Sequence, residues 1–355
     1  MEISNSLNTI DLFCGCGGLS YGFEKAGYSI ILGVDNDENA LETFKLNHQN
    51  SKGEKIDLFD EDFMGEIDKN IGEMNIDIIV GGPPCQGFSL TGTRNFDDKR
   101  NTLYLRMFEI VKRYKPKAFV LENVPGMATL YDGQVKDEII KRYTDIGYNV
   151  TAKVVIAADY GVPQIRKRLV FVGLLKSFGV FDFPEQTHKE KDYITCENAI
   201  SDLDSLENKQ GLEEAEYGFV PSTDFQREMR AGSSRLYNHV ATIHSQKVVD
   251  VIKMVPDGGN HKSLPKGIGE HRKFNEAWTR YNSKKPSKTI DTGHRNHFHY
   301  KYSRIPTVRE NARLQSFPDT FRFLGTRTSQ YRQVGNAVPP LMAEAIARKI
   351  KEYIS

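Results

Sequence analysis

Cysteine, net charge and long apolar runs are all scarce in this sequence, and each shortage removes a class of protein. Four cysteines in 355 residues, two of them at Cys14 and Cys16, make no disulfide framework, and a reducing cytoplasm is the expected setting. No apolar run approaches the ~20 residues of a membrane span. The first residues carry no basic-then-apolar signal pattern, so no membrane partner is expected. The formal net charge is only +1, and bulk charge therefore announces no polyanionic ligand. No internal repeat or low-complexity tract is present. At ~100–200 residues per domain the length suits two domains, or one large domain with a second inserted.

What is present is unevenly distributed. Residues 54–77 hold nine acids and two bases, a net of −7, whereas residues 271–310 hold ten Lys and Arg against three acids, a net of +7. Such asymmetry can put a basic face on a nearly neutral protein. The first half alternates strand-like and helix-like segments. Strands are expected at 8–13, 29–34, 75–80, 117–121, 150–157 and 169–173, and helices at 19–26, 38–47, 103–114 and 135–146. This pattern predicts an α/β fold, a Rossmann-like parallel sheet with helices on both faces. After about Phe183 the chain becomes irregular and rich in turn residues, and helical spacing returns near Val308, with a closing helix at 337–353. The expected division is a sheet domain of residues 1–184 plus 325–355, a smaller, irregular, mostly β inserted domain at 185–300, and a hinge and return segment at 301–324.

Three places carry chemistry. Phe13-Cys14-Gly15-Cys16-Gly17-Gly18 lies between a strand and a helix, where glycines let backbone approach a ligand and the helix offers unpaired N–H groups. Asp35 follows at the end of the next strand, placed to accept hydrogen bonds from ribose hydroxyls. The loop is not the G-x-G-x-x-G of dinucleotide enzymes and suits a nucleoside without a pyrophosphate. Two cysteines in C-x-C spacing lack the four ligands of a metal site, and no metal is expected there. Gly82-Pro83-Pro84-Cys85-Gln86-Gly87-Phe88-Ser89 follows a strand directly. Prolines fix the backbone before the thiol, and residues 86–100 form a polar loop able to close over a substrate. A buried structural cysteine is the bland alternative. Glu122, at the end of another strand, could donate to a ring nitrogen beside that thiol, or be a surface glutamate. Alternation in Gln164-Ile165-Arg166-Lys167-Arg168 puts Arg166 and Arg168 on one face, to hold a phosphate or a base carbonyl or to form surface ion pairs.

Taken together these blocks resemble the DNA cytosine-5 methyltransferase family, of the bacterial restriction-modification type. The blocks are Asp11-Leu12-Phe13-x-Gly15-x-Gly17-Gly18, Gly82-Pro83-Pro84-Cys85-Gln86, Glu122-Asn123-Val124 and Gln164-x-Arg166-x-Arg168. Thr307-Val308-Arg309-Glu310 with Arg313 to Pro318, and Gln333-Val334-Gly335-Asn336-Ala337-Val338-Pro339, complete them. Six blocks in one order, with a variable stretch before the last two, are very specific. The resemblance implies an S-adenosylmethionine-dependent sheet domain with an inserted target-recognition domain. Phe13, Gly15, Gly17, Gly18, Asp35, Asn36, Pro83, Leu103 and Asn336 would hold S-adenosylmethionine. The family's acid after the third strand stays open among Asp57, Asp60 and Asp62. Cys85 would attack carbon 6 of cytosine, Glu122 would hold ring nitrogen 3 and the exocyclic amino group, and Arg166 and Arg168 would support the base and its phosphate.

The chemistry explains these residue types. Carbon 5 of cytosine is a poor nucleophile, and a thiolate added at carbon 6 makes it enamine-like. A duplex hides the base, so it must be flipped out. Gln86, Ser89 and Arg100 on the lid, with Lys288 and Arg295 in the insertion, are the expected DNA contacts. Trp278, Arg280, Tyr281 and the His-rich run from Gly293 to Tyr300 offer further phosphate, base-edge and apolar groups. His294, His297 and His299 lack a fourth ligand nearby, so metal is not expected there either. The expected partner is duplex DNA, with a cognate restriction endonuclease acting separately, and the chain is expected to be a monomer in the bacterial cytoplasm. Two rivals are weighed. An RNA (tRNA) cytosine-5 methyltransferase would carry Cys-Phe-Thr, absent here; a non-catalytic DNA-binding relative would not need Cys85 and Glu122 intact.

Overall fold

The computed structural model describes residues 6–84, 103–207, 209–270, 277–293 and 296–355. By its contacts the chain forms two compact units. The first is Met1–Ile156 with Lys167–Glu185 and Met342–Ser355; the second is Ala157–Arg166 with Gln186–Leu341.

In the first unit the strands are β1 (Leu7–Leu12), β2 (Tyr28–Asp35), β3 (Lys52–Lys55), β4 (Ile78–Gly81), β5 (Ala118–Asn123) and β6 (Tyr148–Ile156). A two-residue strand β7 (Gln164–Ile165) belongs to the second unit, and β8 (Lys167–Leu175) returns to the first. Seven strands form one sheet in the order β3-β2-β1-β4-β5-β8-β6. The first five run parallel, and β8 is antiparallel to both β5 and β6. The helices are α1 (Gly18–Lys25), α2 (Glu38–Asn47), α3 (Phe63–Ile71), α4 (Leu103–Tyr114) and α5 (Gln134–Asp145).

Period-two alternation sorts the sheet residues. Ile10, Leu12, Leu32, Val34, Ile79, Phe119, Leu121, Leu169 and Phe171 share one core with α3, α4 and α5. Residues on the alternate positions, such as Ile78, Val80, Val120 and Val172, are buried as well, as a sheet covered on both faces requires. α4 shows why it is a helix: Leu103, Met107, Ile110 and Val111 are its buried positions, the spacing of one helical stripe. The Asp37 side chain caps α2 by accepting from the backbone N–H of Asn39 and Ala40, relieving two orphan donors.

The second unit contains α6 (Cys196–Ile200), α7 (Asp224–Arg230), α8 (Gln246–Met254), α9 (Val308–Leu314) and α10 (Arg327–Asn336). Its further strands are β9 (Glu214–Ala215), β10 (Leu236–Tyr237), β11 (Thr279–Arg280), β12 (Ser287–Lys288) and β13 (His297–Phe298). The final helix α11 (Pro340–Ile354) enters the first unit at Met342. The insertion is irregular, but among the described residues it is not mostly β: each of its strands has two residues, and its helices are longer. Residues 301–341 group with the second unit, not with a hinge and a returning sheet domain. The reason lies on α9, where Arg313 bonds Asp202 and Asp319, and Arg309 donates to the carbonyls of Tyr237 and Pro318.

The tightest point of the first core is Gly173, where an added Cβ would lie 2.0 Å from the Phe119 ring. That ring is itself stacked on Tyr143 at 3.9 Å between centroids. Gly173→Ala is expected to destabilise by about 1–3 kcal/mol through overpacking, read as a fall of several degrees in Tm in a thermal melt. An unchanged Tm would show that the ring moves freely.

Candidate active site

The sheet register brings several loops to one edge. Leu12 is paired with both Val34 and Gly81, and Gly81 with Leu121. The segments starting at Phe13, Asp35, Gly82 and Glu122 therefore leave neighbouring strands at their carboxyl ends. There, β1 is flanked by β2 on one side and β4 on the other, the switch point at which open α/β sheets bind ligands.

At the β1 end the backbone is unusual. Phe13 has φ 60, Gly15 φ 54 and Gly17 φ 95. A half-buried aromatic residue held in the left-handed region marks a functional constraint. An added Cβ at Gly17 would lie 2.1 Å from Nε2 of His48, whereas one at Gly15 would meet nothing within 4 Å. Gly17 is thus required by packing, and Gly15 borders open space. The Asp35 carboxylate accepts the Gly15 N–H and the Asp37 N–H, each at 2.8 Å, so it shapes the glycine loop itself. Each oxygen keeps further acceptor capacity for ligand hydroxyls. Burial raises the Asp35 carboxyl above its usual range, against those backbone donors. Asp11 is buried more deeply. Desolvation pushes it up to about 7, although Ser20 Oγ donates to its Oδ2 at 2.6 Å, and its Oδ1 is buried without a hydrogen-bond partner. A buried and a half-buried acid beside an open glycine cradle suit a ligand bringing positive charge and hydroxyl donors. S-adenosylmethionine fits that description. Asn36 is exposed beside Asp35, and Leu103 is buried in the core at the start of α4.

The second cluster forms at the ends of β4, β5 and β8. In the antiparallel pairing Glu122 stands opposite Val170, which makes Arg168 its diagonal neighbour on the same face. Arg168 Nε donates to Glu122 Oε1 at 2.6 Å, and both side chains are only 13% exposed. An ideal Cβ on Gly82 would lie 3.1 Å from Glu122 Oε2, so the glycine lets the loop run close beside the carboxylate. Asn123 is buried, and its Nδ2 donates to the Pro83 carbonyl at 3.1 Å while its Oδ1 accepts the Val124 N–H. This tether sits two residues before Cys85. The sequence reading gave Asn123 no role; its place beside Glu122 at a strand end was the available signal.

Cys85, Gln86, Ser89, Arg100, His294 and Arg295 lie outside the described residues. The described cysteines, Cys14, Cys16 and Cys196, are all buried. Desolvation raises each thiol, Cys16 to about 12, which makes them poor nucleophiles.

Other expected site residues belong to the second unit or to other elements. β7 ends at Ile165 and β8 begins at Lys167, so no single strand places Arg166 and Arg168 on one face. Arg166 belongs to the second unit, fully buried, with Nη2 donating to the carbonyls of Gly335 and Asn336 at 3.0 and 3.4 Å. Asn336 closes α10 in the same unit and is exposed. Lys288 is exposed on β12. Arg280, Tyr281, His297 and His299 are buried and are not available to a groove. Arg280 donates to the carbonyls of Val255, His299 and Tyr302. His299 Nδ1 accepts the backbone N–H of Lys301 and Tyr302. Of the three open acids, Asp57 lies two residues beyond β3, and Asp62 sits at the cap of α3.

The family model for C-5 cytosine-specific DNA methylases matches residues 7–352. The chain is 39% identical to the type II methyltransferase M.DdeI of Desulfomicrobium norvegicum, over 98% of this chain and 89% of that one. It is also 39% identical to M1.HphI of Haemophilus parahaemolyticus, over 97% and 87% respectively. Among solved structures, a prophage-encoded E. coli protein described as a DNA modification methyltransferase superposes with a TM-score of 0.80 at 29% identity, covering 98% of this chain and 99% of its own.

The two glycines should respond differently to a methyl group. Gly15→Ala is expected to melt within a few degrees of the parent and to lose at least about tenfold in S-adenosylmethionine affinity, since its methyl enters the open cradle. Gly17→Ala should lower the Tm more, because beyond the positive-φ strain that both positions share its methyl meets His48. Calorimetric titration and thermal melts separate the two; full affinity in Gly15→Ala would misplace the cradle.

Proposed function

Because the chain belongs to the family of C-5 cytosine-specific DNA methylases, we propose that it methylates carbon 5 of a cytosine flipped out of a short, specific duplex sequence, through a covalent bond to Cys85. The observation that carries this reading is the Glu122–Arg168 pair beside Gly82, on the loop that leads to Cys85 and is tethered at Pro83 by Asn123. Arg168 fixes the direction of the carboxyl by a charge-assisted bond. Glu122 holds ring nitrogen 3 and the exocyclic amino group of the flipped base, and supplies a proton as the ring gains electrons. Cys85 adds as thiolate to carbon 6, carbon 5 takes up the methyl group, the carbon-5 proton leaves to water, and the carbon 6–sulfur bond breaks to release Cys85.

S-adenosylmethionine, when bound, supplies an electrophilic methyl at its sulfonium. Phe13, Gly15, Gly17, Gly18, Asp35, Asn36, Pro83, Leu103 and Asn336 would hold it, and Asp57, nearest the end of β3 among the three acids, is the added contact we favour. Arg166 would act from the second unit, by fixing the backbone at Gly335 and Asn336. Gln86, Ser89, Arg100, Lys288 and Arg295 would meet DNA, with the target read by the second unit. The names of the relatives support a role as the protecting methyltransferase of a type II restriction-modification system, beside a separate endonuclease. The same reading makes the chain a cytoplasmic monomer.

Duplex DNA carrying 5-fluorocytosine at the target is expected to trap a covalent complex, because fluorine does not leave as a proton does. Cys85→Ala should trap nothing and transfer no methyl, while still binding DNA. Glu122→Gln should slow transfer by ~10²–10⁴-fold with nearly unchanged S-adenosylmethionine affinity. An active Cys85→Ala enzyme would sink the mechanism, and methylation of tRNA in place of DNA would reassign the substrate.

A further inference from the structure

Two buried glutamines in the second unit form a continuous amide relay. The backbone N–H of Ile290 donates to Gln164 Oε1 at 3.2 Å. Gln164 Nε2 donates to Gln315 Oε1 and to the Leu314 carbonyl. Gln315 Nε2 donates to the Ala337 carbonyl at 2.6 Å. Both side chains are fully buried. Every amide points the same way, so each bond polarises the next. The relay starts at the residue that follows β12 by two positions and ends on the turn that carries Asn336. Parallel contacts reinforce both ends. The Ser287 N–H donates to the Pro163 carbonyl, and Thr289 Oγ1 donates to the Ile165 carbonyl. Arg166 holds the carbonyls of Gly335 and Asn336. An added Cβ at Gly335 would stand 2.6 Å from the Asp291 carbonyl oxygen, so the turn lies directly against the segment that follows Ile290.

We propose that the Gln164–Gln315 amide pair is a positioning device that sets the Asn336 turn for the cofactor and the residue 287–290 segment for DNA with one set of buried hydrogen bonds. The proposal rests on the assignment of Asn336 to the cofactor and of Lys288 to DNA. Neither glutamine touches a ligand. Each acts through the backbone it holds, so breaking the relay loosens both binding surfaces and leaves the reacting groups in place. Glutamine suits the centre of such a relay because one planar group both accepts and donates. An apolar side chain of the same volume leaves Gln164 Nε2 only its longer bond to the Leu314 carbonyl and removes the donor from the Ala337 carbonyl.

Gln315→Met is expected to weaken binding of labelled S-adenosylmethionine in equilibrium dialysis by roughly tenfold. It should also raise KM for unmethylated phage DNA, with kcat at saturation within about twofold. Gln315→Glu supplies a control inside one protein. As a neutral acid it donates to Ala337 and accepts from Gln164, which restores the relay. Once ionised it has no proton to donate and turns a charge on a carbonyl. Its ordinary pKa of ~4.3 is raised by burial, so its cofactor affinity relative to the parent, in which Asp11 also titrates at about 7, should be near one at low pH and fall as pH rises from about 5.5 to 8.5. Parental affinities in Gln315→Met, or, should that variant not fold, a Gln315→Glu affinity that follows the parent across pH, would overturn the proposal. Asn336→Ala separates the two readings. If it keeps full cofactor affinity while Gln315→Met loses it, the relay stands and the Asn336 assignment falls. Loss in Asn336→Ala with a neutral Gln315→Met gives the reverse.

Discussion

The register of β5 against β8 decides what the active site can be. Antiparallel pairing sets Glu122 opposite Val170 and Asn123 opposite Leu169, and this puts Arg168 diagonally across from Glu122. Alternation then divides the labour between adjacent residues. Glu122 meets Arg168 and the bare face of Gly82, while Asn123 is buried on the Pro83 carbonyl. A slip of one residue would exchange the two faces. The carboxylate would be driven into the core and the loop before Cys85 would lose its tether. A parallel sheet alone would not supply this arrangement, because Arg168 stands near the start of β8, and only an antiparallel β8 brings its start to the carboxyl end of β5. The reversed strand in an otherwise parallel run is therefore what brings Arg168 to Glu122.

The cofactor end rests on a different economy, in which acids serve the backbone first. Asp35 ties down the glycine loop through the Gly15 N–H and its own turn through the Asp37 N–H, an arrangement formed in advance, so that binding costs less ordering. Asp11 lies beneath the same loop with one oxygen unsatisfied, and burial raises its pKa to about 7. Such a buried acid is costly to the fold unless it is compensated. The left-handed Phe13 adds to this strain at the same place.

Much of this was legible in the sequence, for reasons that differ by element. The α2 and α4 ranges were legible from helical spacing at residues 38–47 and 103–114, and the structure shows Asp37 capping the first and Leu103, Met107, Ile110 and Val111 as the buried stripe of the second. Strand β3 was not legible because Lys-Gly-Glu-Lys has neither apolar content nor alternation; it is a polar edge strand, recognised only by its pairing with β2. Missing it made β4 read as the third strand. The site motifs were readable because glycine, proline and acid types at strand ends restrict the chemistry locally. The recognition residues were not, because composition does not say which way a side chain points. Arg280, Tyr281 and His297 looked like groove-facing groups and are buried. Lys288, on a two-residue strand, and Gly293 are exposed, and Trp278 and Asn296 are half-buried.

That burial follows from how the second unit is built. With strands of two residues and short helices, most of its backbone cannot satisfy itself through ladders or helical turns, yet buried N–H and C=O groups need partners. Arginine answers this need for carbonyls, since one guanidinium carries five donors. Arg280, Arg304 and Arg309 each serve carbonyls from separate segments. Arg304 also grips Glu310 with two bonds; burial alone would raise that carboxyl, and the guanidinium holds it well below the usual range. Thr307 and Glu310 in turn cap α9 reciprocally. The Thr307-Val308-Arg309-Glu310 block is thus an internal frame rather than a contact surface. A frame made of buried side chains leaves the exposed positions between its anchors unconstrained by the fold. On β12, Ser287 is buried and Lys288 is exposed, so an anchoring position and a surface position are neighbours in sequence. A unit arranged in this way can change its surface side chains without losing the backbone that presents them.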